Sequence, residues 1–246
     1  MLLDLIRGWQ EKAKRIAPPE GTGILPARGG LPGAAFFPEG LGLQNPSPEA
    51  DWPWIVAIGH NFGCEAYRNG INDRGHEDDK TTWRNLRNLL RDADLSIESC
   101  FMTNWFIGLL PGDRQVGRFL TAPNPRYERE CRELMLEQIA GLKPRLILLL
   151  GLPVVARAYE MMPSLTPWAG ATNWKAVDAS SLGSIAPDVE VSGTGVRANV
   201  VPLLHPSFAP PNQRLRAGTF PMPKPEVEMV RQAAVGVRNT CPVPKG

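Results

Sequence analysis

Two apolar runs in this chain end in polar groups of the kind that hold water and stabilise anions. The first, Trp54-Ile-Val-Ala-Ile-Gly-His-Asn-Phe-Gly63, closes on the amide of Asn61 between two glycines. The second, Ala198-Asn-Val-Val-Pro-Leu-Leu, runs into His205-Pro206-Ser207. An amide can orient a water or a polar ligand, and an imidazole can donate to a developing oxyanion. A third amide, in Thr103-Asn104, lies near the end of a further apolar stretch and suits the hydrogen-bonding edge of a base. Each also has a structural reading: Asn61 as a turn stabiliser, His205 as a buried ring bonded to backbone, Asn104 as a satisfied core amide. At His205 the chemical reading is favoured. Pro206 and Ser207 stop the run abruptly and open Phe208-Ala-Pro-Pro-Asn-Gln-Arg-Leu-Arg216, which sets two arginines around a leucine. That composition touches phosphates while wedging an apolar group. His60 reads as a turn or wall residue.

Such groups need strand tips to carry them. Residues 54–61, 99–108, 145–151 and 198–205 read as strands, and the aliphatic run ending at Gly151 suits a strand buried on both faces. Helical spacing runs through Thr81–Asp92, with Trp83 on the apolar face, and from Pro125 to Ile139. A helix is expected to start near Pro153 and another to close the chain from about Pro225 to Val237. Strand–helix alternation predicts an α/β fold, a three-layer sandwich with a central four-stranded parallel sheet, which binds ligands at its strands' carboxyl ends. Residues 1–51 form an N-terminal helix and a Pro/Gly-rich arm from about Ala17, 52–216 the core, and 217–246 a helix and tail. Residues 163–195, rich in Ser, Gly, Pro and Trp, read as an irregular insertion in a single domain.

Composition narrows the class without deciding it. The 246 residues carry a formal charge of only +2, so a nucleic-acid surface would have to be a local basic patch. The four cysteines (Cys64, Cys100, Cys131 and Cys241) form no CxxC pair, and neither a secreted disulfide framework nor a metal site is expected. The amphipathic N-terminal helix lacks the apolar core of a signal peptide, and no run reaches the length of a membrane span. A cytoplasmic monomer is the expectation. P-loop, GxSxG and GxGxxG patterns do not occur, which counts against an unrelated nucleotide-binding or hydrolase fold.

Taken in order, these landmarks resemble the uracil-DNA glycosylase superfamily over about residues 54 to 216. Gly59-His-Asn-Phe-Gly63 looks like its water-activating motif, Thr103-Asn104 like its base-reading motif and His205-Pro-Ser207 like its closing motif. The segment Glu130-Cys-Arg-Glu-Leu-Met-Leu-Glu-Gln-Ile to Gly151 is also similar, whereas the arm and the insertion have no evident counterpart. The resemblance implies base flipping in DNA and hydrolysis of an N-glycosidic bond. By position, Asn61 would hold the water, Asn104 would read the base, and His205 would stabilise the departing anion. Phe62, Tyr67 and Trp83 are candidates to stack on the base, and Gln213, Arg214 and Leu215 would fill the gap in the duplex, with Ser207 and Arg216 against DNA.

The departures carry information. The first motif has Asn61 where many branches have a carboxylate, so water activation leans on leaving-group quality. Only Cys131 stands where an iron–sulfur branch has ligands, and Phe106 occupies another such place, so no cluster, metal or other cofactor is expected. Gly63 replaces the tyrosine that blocks C5 substituents in the strict uracil branch. A C5-substituted or hypermodified pyrimidine, such as one in phage DNA attacked in antiviral defence, is therefore the expected substrate. An ordinary uracil glycosylase and a catalytically inert DNA-binding module are the alternatives.

Overall fold

The computed structural model describes residues 1–44, 52–76, 81–113, 119–120, 123–207, 212–216 and 224–238. Parts of the phosphate-and-wedge loop (208–211), Cys241 and the tail beyond 238 lie outside them. The strands are β1 (Ile55–Asn61), β2 (Cys100–Phe106), β3 (Leu146–Leu150), β4 (Ala186–Val191) and β5 (Val196–Leu203). They form one sheet in the order β2-β1-β3-β5-β4, with β1 parallel to β2 and β3 parallel to β5. The helices are α1 (Leu2–Ala13), α2 (Glu65–Arg74), α3 (Thr81–Asp92), α4 (Pro125–Leu142), α5 (Leu152–Val155), α6 (Trp174–Asp178) and α7 (Pro225–Arg238). The fold is α/β, a parallel-dominated sheet flanked by helices.

The strand count corrects the sequence reading, which has four. The fifth, β4, lies inside the stretch 163–195 read as irregular and pairs antiparallel with β5. Its register shifts between Ala186 and Val189, where Asp188 takes φ 49° and its N–H bonds Asn199 Oδ1 at 2.9 Å. A bulge erases the period-two alternation by which strands are recognised. The same stretch also holds α6, capped by Asn173, whose Oδ1 accepts from Ala176 N–H at 2.9 Å. The helix at Pro153 is real but only four residues long. Helix α2 escapes the pattern because only Arg68 and Ile71 of its residues are buried.

The chain divides into two compact units, Met1–Lys80 with Glu98–Leu142, and Thr81–Ile97 with Lys143–Gly246. In the first, α1 buries Leu2, Ile6, Trp9 and Ala13 and packs on α4. The contact is close: a Cβ at Gly141 would stand 2.7 Å from the Trp9 indole. The arm then lines the edge strand. Phe37 N–H donates to Met102 O at 3.0 Å, and Met102 N–H donates to Gly42 O at 2.7 Å. Backbone groups of β2 that would face water are thereby paired. The Gln10 amide nitrogen fastens the arm to α1 through Pro38 O (3.1 Å) and Gly40 O (2.9 Å).

In the second unit β3 is buried along its whole length. Helix α7 packs on β5 and β3, and Asn199 Nδ2 donates to Ala233 O at 2.7 Å. Helix α3 lies against α7. Lys224, just before α7, bonds Asp92 at the end of α3 at 2.6 Å.

Candidate active site

In the first unit the parallel register brings the polar ends of β1 and β2 side by side, with Gly59 opposite Asn104. A Cβ at residue 59 would stand 2.6 Å from Asn104 Oδ1, so only glycine leaves room for that amide. The amide is oriented by the arm: Asn104 Nδ2 donates to Phe37 O at 2.8 Å. A carbonyl only accepts, which fixes the nitrogen on that side and the oxygen over Gly59. The second Nδ2 hydrogen and Oδ1 remain for a ligand. Beneath, Thr103 Oγ1 donates to Gln138 Oε1 of α4 at 2.9 Å.

Asn61 ends β1, and its side chain is held by its own neighbours. Nδ2 donates to Gly63 O at 3.0 Å, and Oδ1 accepts from His60 Nδ1 at 3.1 Å. An amide oxygen cannot donate, so this contact places a proton on His60 Nδ1. His60 itself stands edge-on to Phe106, with centroids 5.2 Å apart, as a wall residue would. Asn61 keeps one N–H and one lone pair for a further partner. Gly63 has φ 119°, a conformation closed to most side chains, and Leu110 N–H bonds its carbonyl at 2.9 Å. A Cβ there would meet Tyr67 Cδ1 at 3.4 Å. Tyr67 is half-buried and tilted against the buried ring of Phe62, 5.7 Å away. The structure thus groups Asn61, Phe62, Gly63 and Tyr67, and sets Asn104 on the neighbouring strand beside Gly59.

His205 follows β5 in the second unit. Gly151, directly after β3 with φ 96°, donates its N–H to Leu203 O at 2.8 Å, and a Cβ on it would reach His205 Cβ at 3.4 Å. The ring is set by Ser207: its Oγ lies 2.6 Å from His205 Nδ1, and its N–H points at the same nitrogen from 3.4 Å. A backbone N–H only donates, so Nδ1 is the acceptor, and the neutral ring carries its proton on Nε2. Asn85 of α3 steadies the turn by donating to Pro206 O at 2.7 Å. Trp83, on the same helix, is buried.

The turn at Gln213–Arg216 sorts its residues by direction. Leu215 is 50% exposed and Arg214 is exposed. Gln213 turns inward, Nε2 donating to Glu226 Oε2 at 3.0 Å. Arg216 corrects the sequence reading, in which it contacts DNA. It is 1% exposed, paired with Asp178 at 2.8 Å and Glu226 at 3.3 Å, and its guanidinium lies 4.5 Å from the Trp174 ring centroid. A guanidinium so enclosed serves the turn, not a phosphate. Its partners stand 38 and 10 residues away, so no local motif announces them.

Sequence reasoning also missed Glu226, whose buried carboxyl is pushed up to about 7 by desolvation. The sequence signal, an acidic residue in the first turn of the last helix, reads only as a dipole partner. Cys131 is a buried thiol accepting from Ile107 N–H at 3.5 Å, and burial raises its pKa to about 12. Phe106 belongs to an aromatic stack with Phe119 and Tyr127.

A family model described as the uracil DNA glycosylase superfamily matches residues 53–225. No curated protein matches the chain.

Proposed function

Because the chain belongs to the uracil-DNA glycosylase superfamily, whose members are DNA glycosylases, we propose that it hydrolyses the N-glycosidic bond of a flipped pyrimidine nucleotide in DNA. The observation that carries this reading is the His205 ring, which Ser207 holds with Nδ1 as acceptor and Nε2 as donor. As the bond from the sugar to the base breaks, its electron pair passes to the pyrimidine, and a donor at Nε2 stabilises that anion. Asn104 reads the base through its remaining N–H and Oδ1. Asn61 positions the water that adds to the sugar carbon. An amide has no basic atom for the water's proton, so bond breaking leads and the proton passes to solvent. Leu215 and Arg214 occupy the gap in the duplex and its phosphates.

For the substrate, Gly63 supports a C5-substituted pyrimidine, because no side chain stands there. Hypermodified phage DNA is one source, and antiviral defence the matching role. Tyr67 borders that space and favours the narrower alternative, plain uracil. Asn61, engaged on both side-chain atoms by its own turn, favours a binding module without catalysis. Mass spectrometry of bases released from uracil-containing, thymine-containing, 5-hydroxymethylated and phage DNAs separates the three. C5-substituted products are expected; uracil alone would support the repair enzyme, and no free base with DNA still bound would support the module.

A further inference from the structure

One buried carboxylate touches both the strand tip that carries His205 and the turn that presents Leu215. Glu226, on the first turn of α7, is 1% exposed. Its Oε1 accepts from Leu204 N–H at 2.6 Å and from Arg216 Nη1 at 3.3 Å; its Oε2 accepts from Gln213 Nε2 at 3.0 Å. Arg216 extends the cluster, donating through Nη1 to Pro202 O at 2.8 Å, through Nε to Asp178 Oδ2 at 3.0 Å and through Nη2 to Asp178 Oδ1 at 2.8 Å. Leu204 directly precedes His205, and Gln213 and Arg216 bracket Leu215. Glu226 also lies one residue past the matched family segment.

Packing alone does not call for such a cluster. Apolar residues of similar volume usually stabilise a core as well as a buried ion pair does, whereas directional bonds hold elements in one register. Each bond here has its donor on a segment that bears a site residue or on the segment next to it. Resting on the glycosylase reading above, we propose that Glu226 is a positioning residue that locks the His205 tip and the Leu215 turn into one arrangement, so that extrusion of the base and stabilisation of its anion occur together.

The test uses the full chain and duplexes carrying one uracil or one 5-hydroxymethyluracil opposite guanine, with 2-aminopurine beside the target to report unstacking. Glu226→Gln keeps the shape and turns one of the two acceptor oxygens into a donor, breaking the tie to Leu204 or to Gln213. It is expected to lower the unstacking signal and the single-turnover rate of base release by about tenfold, with duplex affinity within about twofold of wild type. Leu215→Ala should do the same, and the double variant should be no worse than Leu215→Ala alone, since both act on one arrangement. A merely structural residue would multiply its loss onto that of Leu215. Multiplying effects, an unchanged Glu226→Gln signal, or a wild type that unstacks neither duplex would each overturn the proposal. Wild-type unstacking without base release would instead sink the glycosylase reading and leave the coupling standing. If Glu226→Gln does not fold, Gln213→Ala removes one tie and keeps the Glu226–Arg216 pair; it should lower the signal partially, and no change would overturn the coupling.

Discussion

Asn61 and His205 take their orientation from residues two positions away, Gly63 and Ser207, and that local wiring is why both were legible as motifs. Asn104 is different. Its amide is turned by a carbonyl 67 residues earlier, in an arm that composition reads only as Pro/Gly-rich. Replacing His205 by alanine should lower single-turnover base release by about 10²–10³-fold with DNA affinity retained, the usual loss for one oxyanion donor. Gly59→Ala should fold yet lose base discrimination, because the new methyl would meet Asn104 Oδ1 at 2.6 Å. Release from C5-substituted and unsubstituted duplexes, compared side by side, measures it. Glu226 gives a pH dependence whose sign runs against the usual carboxylate. Its folded pKa is raised from 4.5 to about 7, so its contribution to stability is complete below pH 4.5 and lost as pH rises through 7. Thermal melting should therefore show wild type losing stability relative to Glu226→Gln across that window.

Among the elements, continuous aliphatic strands and amphipathic helices were readable because burial writes them in sequence, as β3 and α1 do. Strand β4 was not, since its bulge at Asp188 removes the alternation and its partner β5 lies across a tight turn. The 213–216 turn was half readable. Its exposed residues fit the wedge reading, but the arginine that anchors it looks identical in sequence to the one that does not. Two substitutions separate these roles. Leu215→Ala, at a half-exposed site, should shift folding stability by no more than about 0.5 kcal/mol while weakening unstacking of DNA. Asp178→Ala removes the two-oxygen partner of Arg216 and leaves Glu226 as its one carboxyl neighbour among the described residues; it should cost roughly 1.5–3 kcal/mol, the range for a lost hydrogen bond to a charged group. Denaturant titration reads both.

At the scale of the whole molecule, the family segment spans 53–225, but structure that serves it extends beyond both limits. Phe37 aims the Asn104 amide from the N-terminal side, and Glu226 braces the strand end before His205 from the C-terminal side. Neither was foreseeable, because a motif marks where chemistry happens and not what holds it still.

The pairing of Phe37 and Gly42 with Met102 bears on how the protein behaves in company with its own copies. Shorn of residues 1–44, the chain would keep every motif and α7 but lose α1 and the segment lying along β2. The freed N–H and C=O of Met102, flanked by Phe101, Thr103 and Trp105, would offer a template to any strand in solution, including the same one on another molecule. Light scattering of that trimmed chain should show concentration-dependent self-association, with circular dichroism reporting added β-structure, and the untrimmed chain should stay dispersed at the same concentration. On that outcome the arm is a guard against aggregation as well as a guide for one amide.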